Sequence, residues 1–466
     1  MNKIYFSEDT IAAPATAFGG AIGIIRMSGP KSFEVLSQLT HSKLGKAIEP
    51  KKFYRALLYS YQGNRLDDAL IVSFIHPKSY TGEDLIEFHI HGSSFIAQSL
   101  METLRHYHVR PALAGEFSFR AVRNNKMTLY QAQSVIDLIS SSNEHALELA
   151  LEKFSGQQNE ALSQLGSSIR RLLSLAEIGI DFSDQNLPDI SLASLQSTAN
   201  LILQKLQEIE QTFHQGQRIQ EGVKVSILGL PNAGKSTFFN ALLNEERSIT
   251  SEIAGTTRDV VSEKMTLSSQ DQTVTFRLED TAGFRNTTHS IEKIGMEKSQ
   301  KSAEQADLIL FLVDPNDSME KAIEAWNILH FDSFSKKTIG LLTKIDKVSQ
   351  YEEDIAKNYL RQLNILEWVS ISAHTQQGIL EVISKMILFS KKWTHRKPGE
   401  IILTRSIQLH AVKKTIEALK RAQEAFEIEL FASDIRHATH ALSPLIGSTE
   451  MDDILNQIFS EFCIGK

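Results

Sequence analysis

Residues 229–236 read Gly-Leu-Pro-Asn-Ala-Gly-Lys-Ser, a G-x-x-x-x-G-K-[ST] run set between the apolar stretches Val223–Leu228 and Thr237–Leu243. No other feature limits the fold so tightly. An apolar run, a glycine-rich turn and a second apolar run predict a strand, a loop and a helix whose N-terminus faces the loop. The glycines let successive backbone N–H groups curl around phosphate oxygens, Lys235 brings a point charge to the outer phosphates, and the Ser236 hydroxyl is placed to ligate Mg2+.

Three more elements follow in order, each after an apolar run. Thr256 and Thr257, in Ala254-Gly255-Thr256-Thr257-Arg258-Asp259, can close onto magnesium when a γ-phosphate is present. Val274, Phe276 and Leu278 alternate as a half-buried strand that delivers Asp280-Thr281-Ala282-Gly283, whose aspartate is expected behind the magnesium and whose glycine N–H can sense the γ-phosphate. Leu308–Val313 and Ile339–Leu342 read as buried strands, the second running into Thr343-Lys344-Ile345-Asp346. A carboxylate there accepts two hydrogen bonds from the N1–H and 2-amino group of guanine, which adenine lacks, so Asp346 argues for GTP over ATP. Ser372-Ala373, after Trp368–Ile371, completes a base pocket.

Strands alternating with helices from Val223 to about Phe389 predict a doubly wound parallel sheet. Around it the periodicity is helical. Leu147, Leu151 and Phe154, then Leu162, Leu165, Ile169, Leu172 and Ala176, recur at three- and four-residue steps. Leu192–Phe213 and the set Val412, Ile416, Leu419, Phe426 and Leu430 do the same. An α/β domain inserted into a helical bundle explains this order. Before it, short apolar stretches at Ala21–Met27, Ala69–Phe74 and Leu85–Ile90 alternate with turns, the pattern of an α+β domain. The chain of 466 residues is long enough for about three such domains. Its 49 basic and 56 acidic side chains give a net charge of −7, which excludes a general polyanion binder. One cysteine, Cys463, excludes an intrachain disulfide and any CxxC zinc site. With no run of membrane-spanning length and no secretion signal at the start, a cytoplasmic protein is expected.

The nucleotide motifs resemble the translation-factor-related class of Ras-like GTPases, with Thr343 where an N-K-x-D asparagine is usual and Phe284 where Ras-like proteins carry the water-orienting glutamine. Hydrolysis is therefore expected to be organised otherwise. Glu292, in Arg285–Gly295, is a candidate for positioning the water; an exposed loop carboxylate is the alternative.

The flanks are more specific. Asp9-Thr10-Ile11-Ala12-Ala13, Gly23–Gly29, Tyr80-Thr81-Gly82-Glu83-Asp84, His91-Gly92, Gly115-Glu116-Phe117 and the terminal Phe462-Cys463-Ile464-Gly465-Lys466 resemble the MnmE (TrmE) family of tRNA-modification GTPases, in order and over essentially the whole chain. The resemblance implies a multidomain α+β and α/β architecture. A folate-binding and dimerisation domain would span 1–122, a helical domain 123–220 and 385–466, and an inserted Ras-like G domain 221–384. It implies a homodimer whose G domains pair in a potassium-dependent way. It also implies an FAD-containing MnmG-type partner, with which the chain builds an aminomethyl-type group at C5 of the wobble uridine of tRNA. A 5-formyl- or 5,10-methylene-tetrahydrofolate would serve as one-carbon donor. By position, folate would meet Arg26, Glu87, Lys126 and Lys466. GTP would meet Asn232, Ala233, Gly234, Lys235, Ser236, Thr237, Ser251, Thr256, Thr257, Asp280 to Gly283 (with Thr281 and Ala282), Thr343, Lys344, Asp346, Ser372 and Ala373. Magnesium would use Ser236 and Thr257; potassium would use Asn232, Ser251, Ile253 and Thr256. Glu292 falls on the family's catalytic glutamate. Read without the family, Arg26, Glu87 and Lys126 are isolated charges suited to a solvated surface. A GTPase switch in ribosome assembly, without chemistry on RNA bases, is the rival reading.

This chain departs from the family pattern at Ala114, at Val122, Arg123 and Asn125, at Ser251 and at Thr287-Thr288-His289. Three further signals stay open. Cys463 is either a reactive thiol or a packed small hydrophobe. His89 and His91, two apart on a strand, face one way but lack a third metal ligand nearby. Lys391–Lys397, with Trp393, is either a solvated linker or a contact to tRNA phosphate.

Overall fold

The structure is a computed structural model that describes residues 9–45, 48–181, 191–243, 249–250, 262–269, 272–279, 300–317, 319–328, 331–365, 367–394 and 399–446. It divides into two compact units, one made of residues 1–139, 152–204 and 410–466, the other of 140–151 and 205–409.

In the first unit a six-stranded sheet is formed by β1 (Ile11–Pro14), β2 (Ile22–Ser28), β3 (Tyr54–Tyr59), β4 (Arg65–Phe74), β5 (Leu85–His91) and β6 (Arg110–Pro111), in the order β3-β4-β5-β2-β1-β6. All pairs are antiparallel except β1 with β6. The alternation in β2 sends Ile25 and Met27 inward, where helices Ser32–Leu39 and Ser94–His106 cover them with Phe33, Leu36, Leu100 and Leu104. The outward residues of β2 and β5 include Arg26 and Glu87, which the register sets opposite each other.

Beyond the sheet, helix Gln157–Asp181 lies along helix Ile428–Ile446. The periodic Leu162, Leu165, Ile169, Leu172 and Ala176 are buried, as the spacing predicts. Gly166 lets the two helices close, since a Cβ there would come within 2.7 Å of Ile446 Cδ1. Two periodicity expectations fail. Leu147, Leu151 and Phe154 do lie on a helix, Glu144–Ser155, but they are exposed; Ala146, Leu149 and Ala150 form its buried stripe. Phe426 and Leu430 do not extend the helix of Val412, Ile416 and Leu419. That helix ends at Glu424, and Phe426 stands exposed in the break before the next one.

The second unit holds a seven-stranded sheet of β7 (Val223–Gly229), β8 (Ile249–Thr250), β9 (Ser262–Ser269), β10 (Gln272–Glu279), β11 (Leu308–Val313), β12 (Thr338–Leu342) and β13 (Glu367–Ser370), ordered β13-β12-β11-β7-β10-β9-β8. The five strands from β13 to β10 are parallel, and β9 and β8 add an antiparallel edge. Every residue of β11 is buried, as a central parallel strand covered on both faces requires. Helices Lys235–Leu243 and Ile379–Thr394 cover one face through Phe238, Leu242, Ile383 and Met386. Helices Met319–Ile328 and Gln350–Leu360 cover the other through Trp326 and Leu360. This is the doubly wound fold that the alternation predicts; β9 is an element the apolar pattern did not reveal. Trp393 packs edge-on against Phe389, with the Arg218 guanidinium 4.8 Å from its ring centroid.

Candidate nucleotide-binding site

The loop from Gly229 to Lys235 follows β7 and opens helix Lys235–Leu243. Its backbone takes conformations that few side chains tolerate: φ is +149° at Gly229, +64° at Asn232 and +90° at Gly234. At Gly229 a Cβ would also sit 2.4 Å from the Leu312 carbonyl oxygen, so the approach of β11 itself demands glycine. Lys235 folds back over the loop and donates to the carbonyl oxygens of Gly229 and Leu230, both at 2.8 Å. Burial pushes its ammonium below the ordinary lysine range.

A second set of contacts ties this loop to the end of β12. The Thr343 hydroxyl, buried, donates to the Ala233 carbonyl at 2.9 Å and to that of Val313 at 3.3 Å. The Lys344 ammonium donates to the Asn232 carbonyl at 2.9 Å and pairs with Asp314 at 2.7 Å. Between these elements lies a cavity of about 320 Å3 lined by Gly234, Thr237, Lys344, Asp346, Ala373 and neighbouring residues. Asp346 is exposed at its mouth, and the Ser372 hydroxyl beside it holds its carboxyl below the usual range. Ser372 is itself buried, fixed by a backbone bridge to Gln377. A cavity with a cationic loop at one end and an ionised carboxylate at the other suits a nucleotide whose base offers paired N–H donors.

Of the residues the sequence nominates, Asn232 to Thr237, Thr343, Lys344, Asp346, Ser372 and Ala373 are thus brought to one place. Ser251, Ile253, Thr256, Thr257, Asp280, Thr281, Ala282, Gly283, Glu292, Cys463 and Lys466 lie outside the described residues. Sequence reasoning missed Asp314, Lys347 and His374, the last two lining the cavity. Asp314 carried a signal: it follows the apolar run of β11 directly, at the carboxyl edge where open α/β sheets bind ligands.

In the first unit, Arg26 and Glu87 form a pair, Nε to Oε1 at 3.0 Å and a terminal guanidinium nitrogen to Oε1 at 2.8 Å, with side chains 19% and 17% exposed. They are not the solvated, isolated charges that their sequence neighbours suggest. Tyr80 and Phe117 present ring centroids 5.4 and 5.8 Å from the Arg26 guanidinium. The Lys126 stem lies against Gly82, in the same turn as Tyr80. His91 Nδ1 is 2.7 Å from Asp67 Oδ1 and His89 Nε2 is 3.6 Å from Glu87 Oε2. Among the described residues no group of three or more such side chains could hold a metal ion. No described helix is long and apolar enough to cross a membrane.

Two family models match the chain: the GTP-binding protein TrmE N-terminus over residues 10–126 and the MnmE helical domain over residues 129–463. The tRNA modification GTPase MnmE of Bacteroides thetaiotaomicron is 34% identical over 471 aligned residues, covering 99% of this chain and all of that protein. The protein of the same description from Phocaeicola vulgatus is 34% identical, covering 99% of both chains. That from Clostridioides difficile is 33% identical, covering 99% of this chain and all of its own. With a family model matched over more than half of the chain and likeness to these relatives along its whole length, the chain belongs to the MnmE family of tRNA modification GTPases.

Proposed function

We propose that this GTPase is the potassium-dependent component of a system that builds an aminomethyl- or carboxymethylaminomethyl-type group at C5 of the wobble uridine of tRNA. It would act in the cytoplasm as a homodimer with an FAD-containing MnmG-type partner and a tetrahydrofolate one-carbon donor. The observation that carries the reading is the tie between the phosphate loop and the base end of one cavity through Thr343 and Lys344. Such a tie would hold both ends of a nucleotide in register, which supports a switch whose turnover gates chemistry elsewhere.

Within the site, Lys235 would exchange the Gly229 and Leu230 carbonyls for outer phosphate oxygens, and Asp346 would accept from the base. Ser236 and Thr257 would hold magnesium; Asn232, Ser251, Ile253 and Thr256 would hold potassium. All these offer oxygen ligands, which both hard cations prefer. Ser236 is exposed at the first turn of its helix and Asn232 is exposed in the loop, so both are open to a bound ion. These cations supply charge neutralisation at the phosphates. Glu292 would position the water. For folate, the Arg26–Glu87 pair against Tyr80 and Phe117, with Lys126 nearby, supports a ligand that has a flat heterocycle and carboxylates. Lys466 would complete that set, and Cys463 is a candidate for chemistry beside it.

The test is GTP turnover of the full chain in potassium and in sodium at matched ionic strength, with light scattering on the same samples. Strong stimulation by potassium together with a nucleotide-dependent change in the dimer is expected. Equal, slow turnover in both salts would end the potassium assignment and favour a GTPase switch in ribosome assembly, which requires affinity for ribosomal subunits and indifference to folate.

A further inference from the structure

We infer that Asp314 is a positioning residue for the nucleotide, one that holds the Lys344 ammonium on the Asn232 carbonyl so that the lysine stem becomes a fixed wall of the base cavity. The inference rests on reading that cavity as the GTP site. Asp314 leaves the carboxyl end of β11 with its side chain 9% exposed. One oxygen, Oδ1, accepts from the Asn316 backbone N–H at 2.9 Å and from its side-chain amide at 3.3 Å. The other, Oδ2, stands 2.7 Å from Lys344 Nζ. The carboxylate is therefore oriented from one side by its own turn and spends its other oxygen on the lysine.

Two features make the lysine the element that needs holding. Lys344 sits in the left-handed region at φ +56°, a conformation unfavourable for a residue with a Cβ. Lys344 lines the cavity with a long side chain that is 33% exposed, so without a second anchor it would sample many rotamers. Thr343 adds to the demand. A threonine hydroxyl donates only one proton, and here it goes to the Ala233 and Val313 carbonyls. The next carbonyl of the loop, that of Asn232, is held by Lys344. Fixing the lysine before the nucleotide arrives removes an ordering cost from binding.

The experiment measures affinity of the full chain for a fluorescent GDP in wild type, Asp314→Asn, Lys344→Met and the double variant, with kcat and KM for GTP alongside. Each single change should weaken GDP by about tenfold, the scale of one charge-assisted hydrogen bond. The double variant should be no weaker than the worse single, and KM should rise by more than kcat falls. Asp314→Glu, which keeps the charge, should recover part of the affinity. Wild-type affinity in Asp314→Asn, losses that multiply in the double variant, or no recovery by Asp314→Glu would each overturn the inference. Should Asp314→Asn not fold, full affinity in Lys344→Met would overturn it just as well. Failure of the unaltered chain to bind GDP would instead remove the GTP-site reading beneath it.

Discussion

Thr343 shows how much one side chain settles. Its hydroxyl crosses from the end of β12 to the phosphate loop, and its removal would strand the buried Ala233 carbonyl. Thr343→Val keeps the shape and deletes the donor, so chemical denaturation should show a loss of about 1–2 kcal/mol, accompanied by weaker GDP binding. Lys235 makes a second prediction, in pH. Its pKa is lowered by burial from the ordinary 10.5, and only the ammonium binds phosphate. Affinity for GDP should thus fall as pH rises through the lowered value, before 10.5 is reached. Bound phosphate favours the ammonium, so binding in that window should take up protons, which calorimetry in buffers of different ionisation enthalpy would detect. The sign for folding is the reverse: the unfolded chain, with the higher pKa, binds more protons there, so this group makes stability rise with pH across the window. Constant affinity up to 10.5 would contradict the burial of Lys235.

Among the elements, helix Leu192–Glu221 carries a conflict between local preference and packing. Gly216 lies inside it, where alanine would raise helix propensity by about 1 kcal/mol. A Cβ there, however, would stand 2.0 Å from the Leu403 carbonyl oxygen and 2.9 Å from Ile402 Cγ2. Backbone cannot swing aside as a side chain can, and overpacking of this kind costs about 1–3 kcal/mol. Gly216→Ala should therefore lower the unfolding midpoint; a raised midpoint would mean that the returning segment yields. The exposed Leu147, Leu151 and Phe154 teach the related lesson from the other side. Their spacing correctly gives a helix, but spacing alone does not say which stripe of it a neighbour covers. Here the covered stripe is that of Ala146, Leu149 and Ala150, with Ala146 and Leu149 packed in one cluster with Ile219 and Ile402.

On the scale of the molecule, the motifs Tyr80–Asp84 and Gly115-Glu116-Phe117 prove to be parts of one buried charge network in the first unit. Arg120, fully buried, donates to the Asp9 carbonyl and carboxylate, to Glu83 and to the equally buried Glu116. Arg110 pairs with Asp9 and Glu116, and Ser28 donates to Glu83. The network joins the start of the sheet, its 80–84 turn and helix Glu116–Arg123. Removing one member of such a set leaves the others desolvated and underpaired, so Arg120→Ala should cost about 3–5 kcal/mol. Thermal unfolding of that variant would read the loss, and a midpoint within error of wild type would show that water replaces the guanidinium.

The sequence by itself determined the glycine-rich loop ahead of its helix, the carboxylate of Asp346 after a buried strand and the run of parallel strands. Each rests on short-range rules: a glycine where φ must be positive, an apolar stretch where both faces are covered, a carboxylate a fixed number of bonds from a strand end. Only the tertiary structure decided that Asp314 meets Lys344, that Arg26 is spent on Glu87 some 61 residues away, and that Leu162 is buried while Leu151 is not. These depend on which surfaces the fold brings together. A residue's environment is set by neighbours distant in the chain, and periodicity along one helix or strand carries no record of them.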